Sequence, residues 1–206
     1  MDLLETNLYS NRFSDCNKCE FCKAASYKGQ SPVGFDFFLS EKSDKITILF
    51  LTSSPMSFHQ SNFRETFLLP IREEVLEFKK LNPRIEIIFG HILPVSYSTN
   101  SSHKKELEIC FEENTEKIIS EINPDFIFSF GKSLSHFLGS YKSSSTEDLE
   151  YFCFNSFIDN FPIPVISFPH PKTYLFLGDE TYIAKRNEIL QMLNIILHLL
   201  LQGQKL

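Results

Sequence analysis

Apolar and polar positions along this chain fall into blocks whose period changes. Ile46-Thr47-Ile48-Leu49-Phe50-Leu51 is β-branched and almost continuously apolar, the pattern of a strand buried on both faces, and Thr52-Ser53-Ser54-Pro55 ends it. Ile71, Val75 and Phe78 recur at helical spacing and predict a helix from Pro70 through Leu81. Its Glu73 and Glu74 sit early and its Lys79 and Lys80 late, as the helix dipole favours, and Asn82-Pro83 stops it. Ile85-Glu86-Ile87-Ile88-Phe89 reads as a second strand, followed by a polar loop from Gly90 to His103. Lys104 to Ile122 is the clearest helix, with Leu107, Phe111, Ile118, Ile119 and Ile122 along one face, and Asn123-Pro124-Asp125 breaks it. Phe126 to Phe130 is a third strand, turning at Gly131 into a short helix that ends near Leu138-Gly139. A serine-rich loop covers Tyr141 to Glu150. Pro164 to Phe168 is a fourth strand leading into Pro169-His170-Pro171, and a last helix covers Asp179 to Leu201.

Strands and helices alternate, with connections long enough for βαβ crossovers. The pattern predicts a three-layer α/β/α fold around a mostly parallel four-stranded sheet. It occupies residues 46–206, with residues 1–45 as an irregular, cysteine-bearing segment packed on that domain. Ligands of such folds bind at the carboxyl ends of the strands. Those ends are Thr52–Pro55, Gly90–Pro94, Gly131–Ser133 and Pro169–Pro171.

Composition narrows the class. With 206 residues, 42% hydrophobic and 22% charged, the chain can bury a substantial core and is not intrinsically disordered. The formal net charge of −6 gives no support for nucleic-acid binding through overall positive charge and leaves a local basic groove as the route for it. The start, Met1-Asp2-Leu3-Leu4-Glu5, has no basic region before an apolar core, so no secretory leader is read there. The apolar stretch Ile189 to Leu201 is interrupted by Gln191, Asn194 and His198, too short and polar for a membrane span. The expected compartment is the cytoplasm, where five cysteines read as thiols or metal ligands rather than disulfides.

Three clusters carry candidate chemistry. Cys16, Cys19 and Cys22 have the spacing that turns sulfurs toward one metal, with a fourth ligand to come from Cys110 or Cys153; the alternative is three ordinary thiols. Gly131-Lys132-Ser133 looks like the end of a phosphate-binding loop, but Phe126 stands where that motif needs its first glycine. Lys132 and Ser133 remain at a helix start, where a lysine and amides can meet a phosphate. His170 is held between two prolines, which restrict the backbone on both sides and aim the imidazole; the alternative is a structural turn. His59, His91 and His103 read as solvated loop residues.

Taken in order, these pieces resemble the uracil-DNA glycosylase superfamily, closest to its iron–sulfur family 4 branch. The resemblance runs from Cys16 to the final helix. The cysteine triple opens it, and Leu49 to Met56 stands in place of the family's first catalytic loop. Glu106-Leu107-Glu108-Ile109-Cys110 matches its Glu-x-x-x-Cys element. The block from Asn123 to Gly131, then Phe137-Leu138-Gly139, then Pro169 to Leu175, follow in family order. The resemblance implies a glycosylase-like fold and hydrolysis of the N-glycosidic bond of uracil or another damaged base flipped out of DNA. His170 would hydrogen-bond the leaving base, and the family's acidic first-loop position is held by Ser53. Ser54 and Pro55 would contact the substrate DNA, Phe67 would stack on the base, and Gly90 stands where the family reads its edge. Pro171, Lys172, Tyr174 and Leu175 would form the loop that wedges into the duplex, with Tyr174 and Leu175 as the plug. Cys16, Cys19, Cys22 and Cys110 would hold a 4Fe-4S cluster. The implied partner is damaged DNA, bound by a monomer, with no membrane role. Two other readings are an inactive relative that binds DNA or a protein through the same cleft, and a small-molecule or nucleotide-binding α/β domain.

Overall fold

The computed structural model of the chain describes residues 7–8, 18, 34–37, 46–52, 68–91, 108–139, 152–174 and 177–203. Among the described residues seven strands form one sheet: β1 (Asn7–Leu8), β2 (Gly34–Phe37), β3 (Ile46–Thr52), β4 (Ile85–His91), β5 (Phe126–Phe130), β6 (Phe152–Ile158) and β7 (Phe161–Phe168). The order across the sheet is β1-β2-β4-β3-β5-β7-β6. The four strands read from the sequence, β4, β3, β5 and β7, are its parallel centre. β2 and β6 close the two sides in antiparallel pairing, and β1 adds to β2.

The helices are α1 (Leu68–Leu81), α2 (residues 108–122), α3 (Lys132–Gly139), α4 (Pro171–Tyr174) and α5 (Asp179–Leu201). Within α2 the coil widens to a π-helical turn over Phe111–Thr115 before the α-helical Glu116–Ile122. Asn123 ends it in the left-handed conformation, φ 47°, a common residue for that cap. Alternation along the buried strands divides the core into two. Leu49, Leu51, Ile127 and Val165 face α2 and α3, where Phe111, Ile118, Ile119, Leu134 and Leu138 meet them. Ile48, Phe50, Phe126, Phe128, Phe130, Ile166 and Phe168 face α1, α4 and α5, where Ile71, Val75, Tyr174, Ile189, Leu193 and Leu197 meet them. This is the three-layer arrangement expected from the sequence.

An aromatic ladder crosses the second of these faces. Phe50 stacks on Phe128 at 4.8 Å between ring centroids, Phe128 lies parallel to Phe168 at 6.1 Å, and Phe130 packs on Phe168 at 5.2 Å. Each ring comes from a different one of three neighbouring strands or from the next position on the same face, so the ladder ties β3, β5 and β7 together. Burying a phenylalanine contributes about 1.5–3 kcal/mol through apolar area alone.

Three expectations need correction. The sheet has three more strands than the four foreseen. Residues 1–45 are not irregular throughout: Gly34–Phe37 pairs with β4 and Asn7–Leu8 pairs with β2. The fourth parallel strand begins at Phe161 rather than Pro164. Its Pro162 and Pro164 lie before Val165, where pairing with β5 starts, so their missing N–H groups interrupt no parallel ladder. Among the described residues no helix is long and apolar enough to cross a membrane.

Candidate functional site

The parallel strands end level with one another. His91, Thr52, Phe130 and Phe168 occupy one register row across β4, β3, β5 and β7. The next described helix after β3, α1, packs on one face of the sheet, and α3, directly after β5, packs on the other. Neighbouring strands whose exits diverge in this way open a crevice at their carboxyl ends, where doubly wound folds bind ligands. Here that point lies between the end of β3 and Gly131 at the end of β5.

Gly131 takes φ +117°, a conformation that L side chains rarely adopt. Its N–H donates to the Phe168 carbonyl at 2.9 Å, which draws the turn against the end of β7. A β-carbon built on it would meet the His170 ring at Cδ2, 3.4 Å away, and the His170 Cβ at 3.6 Å. The imidazole therefore rests on the bare face of Gly131. His170 is half-buried, between a buried Pro169 and Pro171. Pro171 occupies the first position of α4, where a missing N–H costs no helical hydrogen bond, and the His170 carbonyl accepts from Thr173 N at 2.8 Å. Both sides of the histidine are thus fixed, one by ring closure and one by a helical turn.

Lys132 and Ser133 open α3 immediately after Gly131, so the structure brings them to the same end as His170. Gly90 lies on β4 opposite Leu51, one residue short of that row. His91 ends β4 instead of lying in a loop as read from the sequence. Pro171 and Lys172 belong to α4, which replaces the open loop foreseen after His170. Tyr174 is the clear correction. Only 3% exposed, it packs within the core layer under α4 and α5, so in this conformation its ring cannot enter a base stack. Ser53, Ser54, Pro55, Phe67 and Leu175 lie outside the described residues, as do Cys16, Cys19 and Cys22.

Cys110 is fully buried among Leu49, Leu51, Ile118, Ile119 and Leu134, where a thiol acts as a small apolar side chain. No group of three or more His, Cys, Asp or Glu able to hold a metal occurs among the described residues. The apolar setting of Cys110 suits a core thiol, and the three cysteines with which it would form a cluster set lie outside the described residues. Cys153, the other candidate, sits on β6, and partial burial raises its thiol above the ordinary pKa.

Two buried serines near His170 were not singled out in the sequence. Ser135 in α3 donates through Oγ to the Gly131 carbonyl at 3.3 Å, and its Oγ also pairs with that of Ser167 on β7. The only sequence signal was position: Ser135 stands one helical turn after the glycine, and Ser167 stands in a strand otherwise apolar at its end. A cavity of about 520 Å³ opens at the opposite, amino-terminal end of the sheet, lined in part by Arg84, Asp125 and Phe161. It contains none of the candidate residues. The chain matches no protein-family model and no curated protein.

Proposed function

We propose that this protein is a divergent member of the uracil-DNA glycosylase superfamily that hydrolyses the N-glycosidic bond of a damaged base flipped out of DNA. One observation carries the reading: the half-buried His170 imidazole rests on Gly131 at the carboxyl ends of the parallel strands, beside the divergence of β3 and β5. The three layers and the four central parallel strands support it at the level of architecture.

In this reading the bond between the sugar C1′ and the base nitrogen breaks, and its electron pair leaves with the base. His170 donates a hydrogen bond to the base oxygen on which negative charge gathers. A fixed donor of this kind contributes about 3–4 kcal/mol to the transition state. Water adds at C1′ and gives up a proton. The Ser53 hydroxyl, in place of the family's acid, orients that water and leaves its deprotonation to solvent. Lys132, at the start of α3, neutralises a backbone phosphate of the flipped nucleotide. Cys16, Cys19 and Cys22, with Cys110, would hold an iron–sulfur cluster, which would brace the N-terminal segment and take no part in bond cleavage.

The test is release of free base from single-stranded and mispaired uracil-containing oligonucleotides, using protein purified without oxygen. Release by the natural protein, reduced at least a hundredfold in His170→Ala, is expected (about 3–4 kcal/mol, roughly a factor of 150 to 900). The same preparation should contain iron and absorb broadly at about 400 nm; colourless, iron-free protein removes the cluster. Absence of release at high protein concentration overturns the catalytic reading. Serine at the acidic position and the net charge of −6 favour one alternative, a relative that binds without cleaving. A gel shift with uracil-containing DNA and no base release identifies that case.

A further inference from the structure

We propose that Ser135 and Ser167 form a buried hydroxyl relay that sets the position of the His170 imidazole through Gly131; both are positioning residues. The inference deepens the proposed function and, for its link to catalysis, rests on it.

The relay has a direction. A serine hydroxyl has one proton to give. Ser135 Oγ gives its proton to the Gly131 carbonyl, so in the Ser135–Ser167 pair Ser167 is the donor. The path therefore runs from β7 through Ser167 and Ser135 to Gly131. Gly131 returns to β7 through its own N–H, donated to the Phe168 carbonyl. Both polar groups of one glycine are thus tied to adjacent residues of the strand that leads into His170, one directly and one through α3.

A serine bonded to the carbonyl four residues earlier is common in helices and by itself slightly loosens them. The tie to Ser167 is what differs. It fixes the start of α3 to β7 across a fully buried contact, since both serines are 0% exposed. Buried hydroxyl chains of this kind strengthen each other in a low-dielectric surrounding, and losing one member leaves another buried polar atom unsatisfied. The Gly131 carbonyl also accepts from Leu134 N and Ser135 N, so removing the relay leaves the helix start formed but held to β7 only through the Gly131 N–H. With His170 Cδ2 only 3.4 Å from where a Gly131 β-carbon would sit, a small shift of the turn moves the surface beneath the imidazole.

The test compares Ser135→Ala, Ser167→Ala and a control, Ser156→Ala, which removes another buried serine hydroxyl on β6. The first readout is the nuclear magnetic resonance of the His170 ring protons and carbons, assigned by their loss in His170→Ala. It requires no activity. Ser135→Ala and Ser167→Ala should each displace these signals, and Ser156→Ala should leave them in place. The second readout is base release, where kcat should fall about tenfold in both relay variants with KM within about twofold, as expected when a reacting group is misplaced but binding is kept. Unmoved His170 signals in folded Ser135→Ala or Ser167→Ala overturn the relay. Should one variant fail to fold, the other decides. If the natural protein releases no base, the catalytic reading fails while the ring signals still decide whether the relay positions His170.

Discussion

Ser129 shows how local the determinants of this site are. It lies on β5 opposite Ser167 and faces the same side of the sheet, yet its hydroxyl, fully buried, has no hydrogen-bond partner among the described residues. Its neighbour Ser167 has found one in Ser135. An unsatisfied buried hydroxyl costs about 1–3 kcal/mol in lost solvation. Ser129→Ala deletes that hydroxyl and leaves only the small void of one oxygen atom. We expect it to raise the free energy of unfolding in urea by about 1 kcal/mol, the low end of that cost after the void is subtracted. A loss of stability of the same size would mean that the hydroxyl is satisfied in solution. The contrast also explains what could be read beforehand. A histidine between two prolines announces restricted backbone in the sequence itself. Three serines in two apolar strands and a helix announce nothing, because their roles depend on which of them meet across the core.

Element by element, legibility followed the source of the structure. The sequence predicts a final helix over Asp179 to Leu201 and the helix spans those residues, preceded by Gly178 and carrying Asp179 and Glu180 in its first turn. Local signals of that kind act within a few residues. The β6–β7 hairpin carries no such local signal. Phe152-Cys153-Phe154-Asn155-Ser156-Phe157-Ile158 has no regular alternation of apolar and polar positions, and its place as a strand is set by pairing with β7. The turn was the available clue. Asp159 and Asn160 both take positive φ, 50° and 66°, between Ile158 and Phe161, which pair with each other. Two-residue hairpin turns need such residues, and asparagine and aspartate accept them more readily than most. Replacing Asn160 should then separate two effects. Asn160→Gly should keep or slightly raise stability, whereas Asn160→Val, branched at Cβ in the left-handed region, should lose about 1–3 kcal/mol. Equal urea midpoints for the two variants would show that this turn is not held in the left-handed conformation.

At the scale of the whole molecule, the candidate site is legible as an end of a sheet but not as a set of contacts. Alternation of strands and helices located the four carboxyl ends, and the register brings His91, Thr52, Phe130 and Phe168 into one row. The meeting of Gly131 and His170 depends on the order in which strands join, which no local pattern records. The same holds for the N-terminal segment. Polar and turn-rich, it reads as an appendage, but Gly34 pairs with His91 and Phe37 with Ile88, so β2 covers the side of β4 away from β3. An uncovered edge strand of the apolar composition of Ile85-Glu86-Ile87-Ile88-Phe89 presents unpaired N–H and C=O groups to any other chain. A chain beginning at Ile46 should therefore unfold at a lower temperature than the whole protein. It should also self-associate as its concentration rises, seen by light scattering at matched concentrations. Because the row that ends in His91 adjoins Gly34, the loss should also reach the candidate site, lowering the proposed base release beyond what the fraction unfolded accounts for. A shortened chain with the melting temperature and scattering of the full one would mean that β2 adds nothing to the sheet, and residues 46–206 would then stand as a complete domain.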